Sequence, residues 1–292
     1  MLIRVGYEMV FRAPTPTPMV LILGLRPERL PTVRRPGCLR LEPVVPINWY
    51  YDSFGNLCAR IVAPAGLLRI WDDMIVEDHG WPDEFAPNAP QIAVEQLPPD
   101  VLVYLLGSRY CEVDRLTEIA WNLFGQTPEG WWRVQAICNW VHANVRFGYE
   151  FARSTKSAYE VFEERAGVCR DFTHLALTFC RCMNIPARYA TGYLGDIGIP
   201  IPPQNSPMDF SGWFEVYLGG RWYTFDARHN VPRIGRVLMA YGRDAVDVAL
   251  TTAFGASVLE KFAVWTDEVS EEALASPPCR QLSEVWIPGA RI

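Results

Sequence analysis

The chain has 292 residues, of which 50% are hydrophobic and 21% charged, and a formal net charge of −6. That length bounds one large domain or two modest ones, and the apolar and aromatic content excludes a disordered chain. The longest apolar run, Met19 to Leu25, is far short of a membrane span, no leader pattern is visible at the N-terminus, and the acidic balance argues against nucleic acid as the main partner.

The first 80 residues read as β. Ile3, Val5, Tyr7, Met9 and Phe11 alternate with mostly polar or small residues, the period of a half-buried strand. Further strands are expected at Val20–Leu25, Leu57–Ala63 and Leu67–Val76, separated by Pro-rich turns and the Asp52–Asn56 turn. Short strands at this spacing suggest an antiparallel sandwich. Arg26, Arg29, Arg34 and Arg35 form a local basic group, read as a solvated surface. Residues 80–99, rich in proline, read as a linker, which divides the chain into a β-rich module over 1–95 and a core over 96–292.

Helices follow. Asp114–Phe124 closes on Gly125, and Thr127-Pro128 supplies an N-cap and N1 proline for a helix over Trp131–Val145. Ser157 and Glu160 form a capping box for a short helix, and a third long helix over Cys169–Met183 stops before Pro186. Strands then return at Tyr189–Leu194, Trp213–Leu218 and Arg221–Asp226, the last two joined by a Gly219-Gly220 hairpin turn. Two more are expected at Val246–Thr251 and Phe262–Val269. The Gly195–Met208 loop between Tyr189–Leu194 and Trp213–Leu218 is a reasonable groove wall.

The eight cysteines show no Cys-x-x-Cys pair and no zinc-like histidine spacing. They read as reduced, mostly buried thiols of a cytoplasmic protein. Cys180 and Cys182 share a helix with Cys169, but Cys180 lies about 16 Å along it, too far for a disulfide. Cys169 itself follows Gly167-Val168 where the long helix should begin. Unpaired amides and the helix dipole at such a position favour a thiolate, and the same amides can stabilise an oxyanion. A structural cysteine at a helix start would give the same local pattern.

Two segments carry a family resemblance. Gly167-Val-Cys169-Arg-Asp-Phe172-Thr-His174-Leu, continuing to Asn184-Ile-Pro-Ala-Arg188-Tyr-x-x-Gly-Tyr193, resembles the nucleophile segment of bacterial transglutaminase-like enzymes. Trp213-Phe-Glu-Val-Tyr-Leu-Gly-Gly-Arg-Trp222-Tyr-Thr-Phe-Asp226 resembles their His/Asp hairpin. The resemblance implies an α+β, papain-like or transglutaminase-like core, with the nucleophile helix against an antiparallel β-sheet, preceded by an N-terminal β-sandwich. It implies a Cys-His-Asp triad acting on peptide or protein-like amides by hydrolysis or acyl transfer, without a cofactor or metal. Cys169 matches the nucleophile and Asp226 the orienting carboxylate. The family histidine falls at Ser211, whose hydroxyl cannot take and hold a thiol proton as imidazole does.

The chain has four histidines. With Gly219-Gly220 as the whole turn, Trp213 faces Asp226 and Ser211 faces Arg228, so Asp226 lies diagonal to Ser211 on one face. His229 points to the other face unless a bend after Asp226 redirects it; it reads as either a structural histidine at the strand end or, with such a bend, a candidate substitute base. His174 lies roughly 140° around its helix from Cys169 and reads as a packing residue. His142 reads as a helix C-terminal partner, and His79 as a turn residue. Asp171 and Arg170 read as a local charge pair. Trp131, Trp132, Trp213 and Trp222 suit either core packing or a substrate cleft. The residues therefore favour a thiol enzyme, with a catalytically inactive scaffold or binding protein as the alternative.

Overall fold

The computed structural model describes residues 1–199 and 208–275. Seven strands come first: β1 (Leu2–Ala13), β2 (Thr17–Leu21), β3 (Val33–Arg35), β4 (Arg40–Glu42), β5 (Asn48–Tyr51), β6 (Leu57–Ala63) and β7 (Gly66–Glu77). Helices α1 (Val113–Phe124) and α2 (Trp131–Asn144) are followed by β8 (Arg146–Phe147), α3 (Ala158–Glu164), β9 (Ala166–Gly167) and α4 (Cys169–Cys182). The remaining strands are β10 (Ala187–Tyr193), β11 (Ser211–Leu218), β12 (Arg221–Phe225), β13 (Val237–Gly242), β14 (Thr251–Ala253) and β15 (Val258–Val269).

The alternation along β1 is realised as burial: Ile3, Val5, Tyr7, Met9 and Phe11 are all inside. They share one apolar cluster with Met19, Leu21 and Ile61 of a second sheet. The first sheet runs β15-β1-β7-β3, with β4 also on β7, and the second runs β14-β2-β6-β5. Strands β14 and β15, which the sequence places with the core, thus pair with β2 and β1 near the N-terminus. The strand expected at Val246–Thr251 is a turn instead. Asp244 and Asp247 accept amide hydrogen bonds there from Val246 and Arg243, which bend the backbone away from a ladder. The basic group is not a solvated patch either. Arg26 pairs with Glu28, Arg29 with Asp78, Arg34 with Glu77 and Arg35 with Asp73, and Arg26 and Arg35 are buried.

The third sheet, β12-β11-β10-β13, positions the site. Gly219 and Gly220 both have positive φ, 57° and 94°, the geometry of a tight hairpin turn that other residues resist. The register follows: Leu218 faces Arg221 and Phe214 faces Phe225. Phe214, Val216 and Leu218 join Phe172, Leu175 and Phe179 of α4 in a second apolar core, so α4 packs on that face. Ser157 and Glu160 cap α3 reciprocally, as their spacing indicates. The cap of α2 differs from expectation. The helix starts after Gly130 with no side-chain cap, and the Thr127 hydroxyl instead donates to the Phe124 carbonyl at 2.6 Å.

Candidate active site

Cys169 is the first residue of α4, and each part of the Gly167–Asp171 segment has a local reason. Asp171 caps the helix by accepting the Val168 amide at 3.0 Å, and Gly167 leaves room for the Asp171 side chain. The carboxylate is wholly buried against Arg170 at 3.1 Å, so this pair is an internal part of the helix start, not a surface one. Thr173, one turn on, reaches the carbonyl oxygens of Cys169 and Gly212 at 2.9 and 3.0 Å, which ties the helix start to β11.

The Cys169 thiol is half-buried, and burial pushes it above the ordinary thiol range. Three things oppose burial: hydrogen bonds from the Gly212 and Arg170 amides, and the positive charge of Arg228. Asp209 acts the other way, raising the thiol and being itself raised by burial. The Gly212 contact puts the sulfur beside the strand residue that follows Ser211. Ser211 is the first residue of β11; it is buried, faces Gly192 of β10, and its carbonyl accepts the Thr191 hydroxyl at 3.1 Å.

Asp226 follows β12 directly and is buried. One of its carboxylate oxygens accepts the backbone amides of Arg228 and His229 at 3.0 and 3.1 Å, which folds the chain back in a turn. That turn is the bend that redirects His229. Its Nδ1 lies 2.8 Å from the other Asp226 oxygen, which also accepts from Arg236 at 3.1 Å. Burial alone would raise this carboxyl. The His229 hydrogen bonds and the Arg236 charge outweigh it and hold the group well below the usual carboxylate range. Asp226 and His229 therefore meet, while Ser211 makes no part of that pair.

Arg228, opposite Ser211 in the hairpin register, has a task that spacing alone does not assign. Its guanidinium covers the Phe147 ring at 3.8 Å, and its carbonyl meets His142 Nδ1 at 2.8 Å. His142 thus holds the Asp226 turn instead of its own helix end. His174 is fully buried, lies 5.1 and 5.2 Å from the Tyr110 and Tyr189 rings, and accepts the Ala245 amide. Burial, Arg170 and Arg181 hold it well below the ordinary imidazole range, so it is a neutral packing residue. His79 is exposed and accepts the Trp81 amide within its turn. Trp131 and Trp213 are buried and Trp132 is exposed. Part of the expected groove wall, residues 200–207, lies outside the described residues.

The cysteines need one correction. Cys58, Cys111, Cys138, Cys169, Cys180 and Cys182 are free, but Cys38 is disulfide-bonded. Among the described residues no helix is long and apolar enough to cross a membrane.

Residues 119–227, which contain Cys169, Ser211 and Asp226, match the core profile of the transglutaminase-like superfamily. Through this stretch the chain resembles the transglutaminase-like superfamily. Similarity also extends over nearly the whole fold. A candidate cysteine protease from Cytophaga hutchinsonii is 27% identical and superposes with a TM-score of 0.80, over 98% of this chain and 94% of that one. The uncharacterized protein ML0607 of Mycobacterium leprae is 28% identical over 208 residues, 68% of this chain and 73% of its own. The helix-start cysteine, the hairpin and the aspartate all fall within the stretch that resembles this family.

Proposed function

We propose that this transglutaminase-like protein is a thiol enzyme acting on amide or acyl groups of a peptide or protein-like substrate. The carrying observation is the Asp226–His229 pair at 2.8 Å, formed by the turn that also presents Arg228 to Cys169. A carboxylate accepting from Nδ1–H fixes the tautomer in which Nε2 is the base. In this reading His229 takes the proton of Cys169, and the sulfur attacks the carbonyl carbon. The C–N bond breaks as His229 returns the proton to the leaving amine, and a thioester remains. Water or an amine then resolves it, giving hydrolysis or transfer. Ser211 stands at the family's histidine position as a bystander. The test is alkylation of the folded protein by iodoacetamide across pH, with Cys169 followed by mass spectrometry in the native chain and in His229→Ala. Near neutrality, Cys169 alkylates more slowly in His229→Ala than in the native chain. Equal rates in the two sink the proposal.

Ser211 itself favours a second reading, a scaffold that has lost its base and serves as a binding protein. Unchanged alkylation in Ser211→His would fit a site that has drifted beyond repair by one residue. For the compartment we keep the cytoplasm, on the strength of six free cysteines; the Cys38 disulfide weighs against it, and cell fractionation decides.

A further inference from the structure

Three polar side chains of α2 reach the turn that carries His229. Gln135, Asn139 and His142 recur at the i, i+4 and i+7 positions of one helical face. A neighbouring face, with Val134, Ile137, Cys138 and Val141, packs into the core. Asn139 and His142 are exposed and add nothing to that core. Their hydrogen bonds go to residues on either side of His229.

On one side, His142 Nδ1 donates to the Arg228 carbonyl at 2.8 Å. On the other, three amides close a ring. Gln135 Nε2 donates to Asn139 Oδ1 and to Asn230 Oδ1, both at 2.9 Å, and Asn230 Nδ2 donates to Asn139 Oδ1 at 2.8 Å. Both ends of the Asn230 amide are thus engaged by one helix. Asn230 also sits at φ 52°, in the left-handed region that asparagine tolerates better than most residues. Its backbone amide closes the turn on the Asp226 carbonyl at 2.8 Å. The Asp226 carboxylate therefore gathers the turn from within, and α2 grips it from without at the two residues flanking His229. A base must stay within about 0.5 Å of its productive place, and a turn held at one point does not ensure that.

We propose that Gln135, Asn139 and His142, together with Asn230, are positioning residues: they clamp the 226–230 turn and fix where His229 presents its ring to Cys169. The inference rests on the reading of His229 as the base, and adds to it that α2, as well as Asp226, holds the ring in place. The four act through His229 and not on the reacting atoms.

The test uses exposed positions that leave the core intact. Asn139→Ala and His142→Ala delete two grips, and Asn230→Gly keeps the left-handed backbone while deleting the amide. Cys169 alkylation by iodoacetamide near neutrality is measured in each variant, with and without His229→Ala. Nitrogen NMR follows the His229 ring, identified by its loss in His229→Ala, and chemical denaturation checks each fold. The Asn139→Ala/His142→Ala double variant slows alkylation at least threefold and Asn230→Gly at least twofold. In the His229→Ala background the same substitutions have no further effect. The His229 ring signals move or broaden in every clamp variant, a change that lost stability alone does not produce in a folded chain. Equal slowing with and without His229 shows that the clamp serves Arg228 or the fold, and overturns the inference. Unmoved ring signals overturn it too, as does native alkylation in the clamp variants where His229→Ala is slow. Ring signals that move while His229→Ala itself alkylates at the native rate support the clamp and sink the base reading, so the two failures are told apart.

Discussion

His229 Nδ1 lies 2.8 Å from Asp226 Oδ2, although the two residues are three apart and the straight strand would put them on opposite faces. The contact exists because the other Asp226 oxygen collects the amides of Arg228 and His229. One buried carboxylate therefore both shapes the turn and orients the ring.

Asp226→Asn removes the charge that Arg236 and His229 share and leaves the buried Arg236 guanidinium with Asp83 as its remaining carboxylate. The expected loss is about 1–3 kcal/mol, measured by chemical denaturation. The folded-state carboxyl is held below its unfolded value, so its stabilisation is complete above about pH 4 and is lost as pH falls further. The native protein thus loses stability towards acid more steeply than Asp226→Asn. Parallel acid profiles would contradict the pairing.

Arg228 and Asp209 act on Cys169 with opposite signs. Arg228→Met raises the thiol and slows its alkylation near neutrality, whereas Asp209→Asn lowers it and speeds the reaction. A pH–rate profile of Cys169 alkylation checks both, each moving by a measurable fraction of a pH unit in its own direction. Movement in the same direction would show that the charges act through structure, not field.

Much of this site was legible along the chain. The Gly219-Gly220 turn sets the register, so the Ser211–Asp226 diagonal could be drawn from spacing alone, and a glycine before Cys169 marked the start of α4. Features set by distant contacts were not legible. The turn after Asp226 depends on where its carboxylate finds amides, and no period-two pattern records that. The task of Arg228 depends on how α4 docks on β11, through Thr173 and Gly212, a contact 39 residues apart in sequence. The pairing of β15 with β1 spans nearly the whole chain and leaves no local signal either. The Cys38 bridge was missed for the same reason, since spacing alone does not show which thiols meet.

Asp72, in β7, supplies an independent check on the first sheet. Burial raises its carboxyl to about 7, despite hydrogen bonds from the Asp73 and Cys38 amides. The folded state then holds a proton that the unfolded state releases above about pH 4, so stability falls as pH rises from about 4 to 7. The loss is of the order of 3 kcal/mol over that window. Asp72→Asn, which keeps the shape without the charge, flattens the slope. Denaturation midpoints at pH 4.5, 6 and 7.5 measure it, and an unchanged slope would assign the pH dependence elsewhere.

Gly212 is the last test, because it joins packing to chemistry. A Cβ there would fall 2.2 Å from the Tyr189 hydroxyl oxygen, and that ring is itself held against His174 in the core. The tyrosine cannot swing away cheaply, so in Gly212→Ala the strand shifts and carries its amide off the Cys169 sulfur. Overpacking of this kind costs about 1–3 kcal/mol. The thiol, losing a hydrogen bond that favours its charged form, moves further up and alkylates more slowly at neutral pH. Tyr189→Phe combined with Gly212→Ala opens the space and restores part of both stability and alkylation rate. If the double variant recovers stability but not reactivity, the Gly212 amide has no hold on the sulfur, and its place in the candidate site falls.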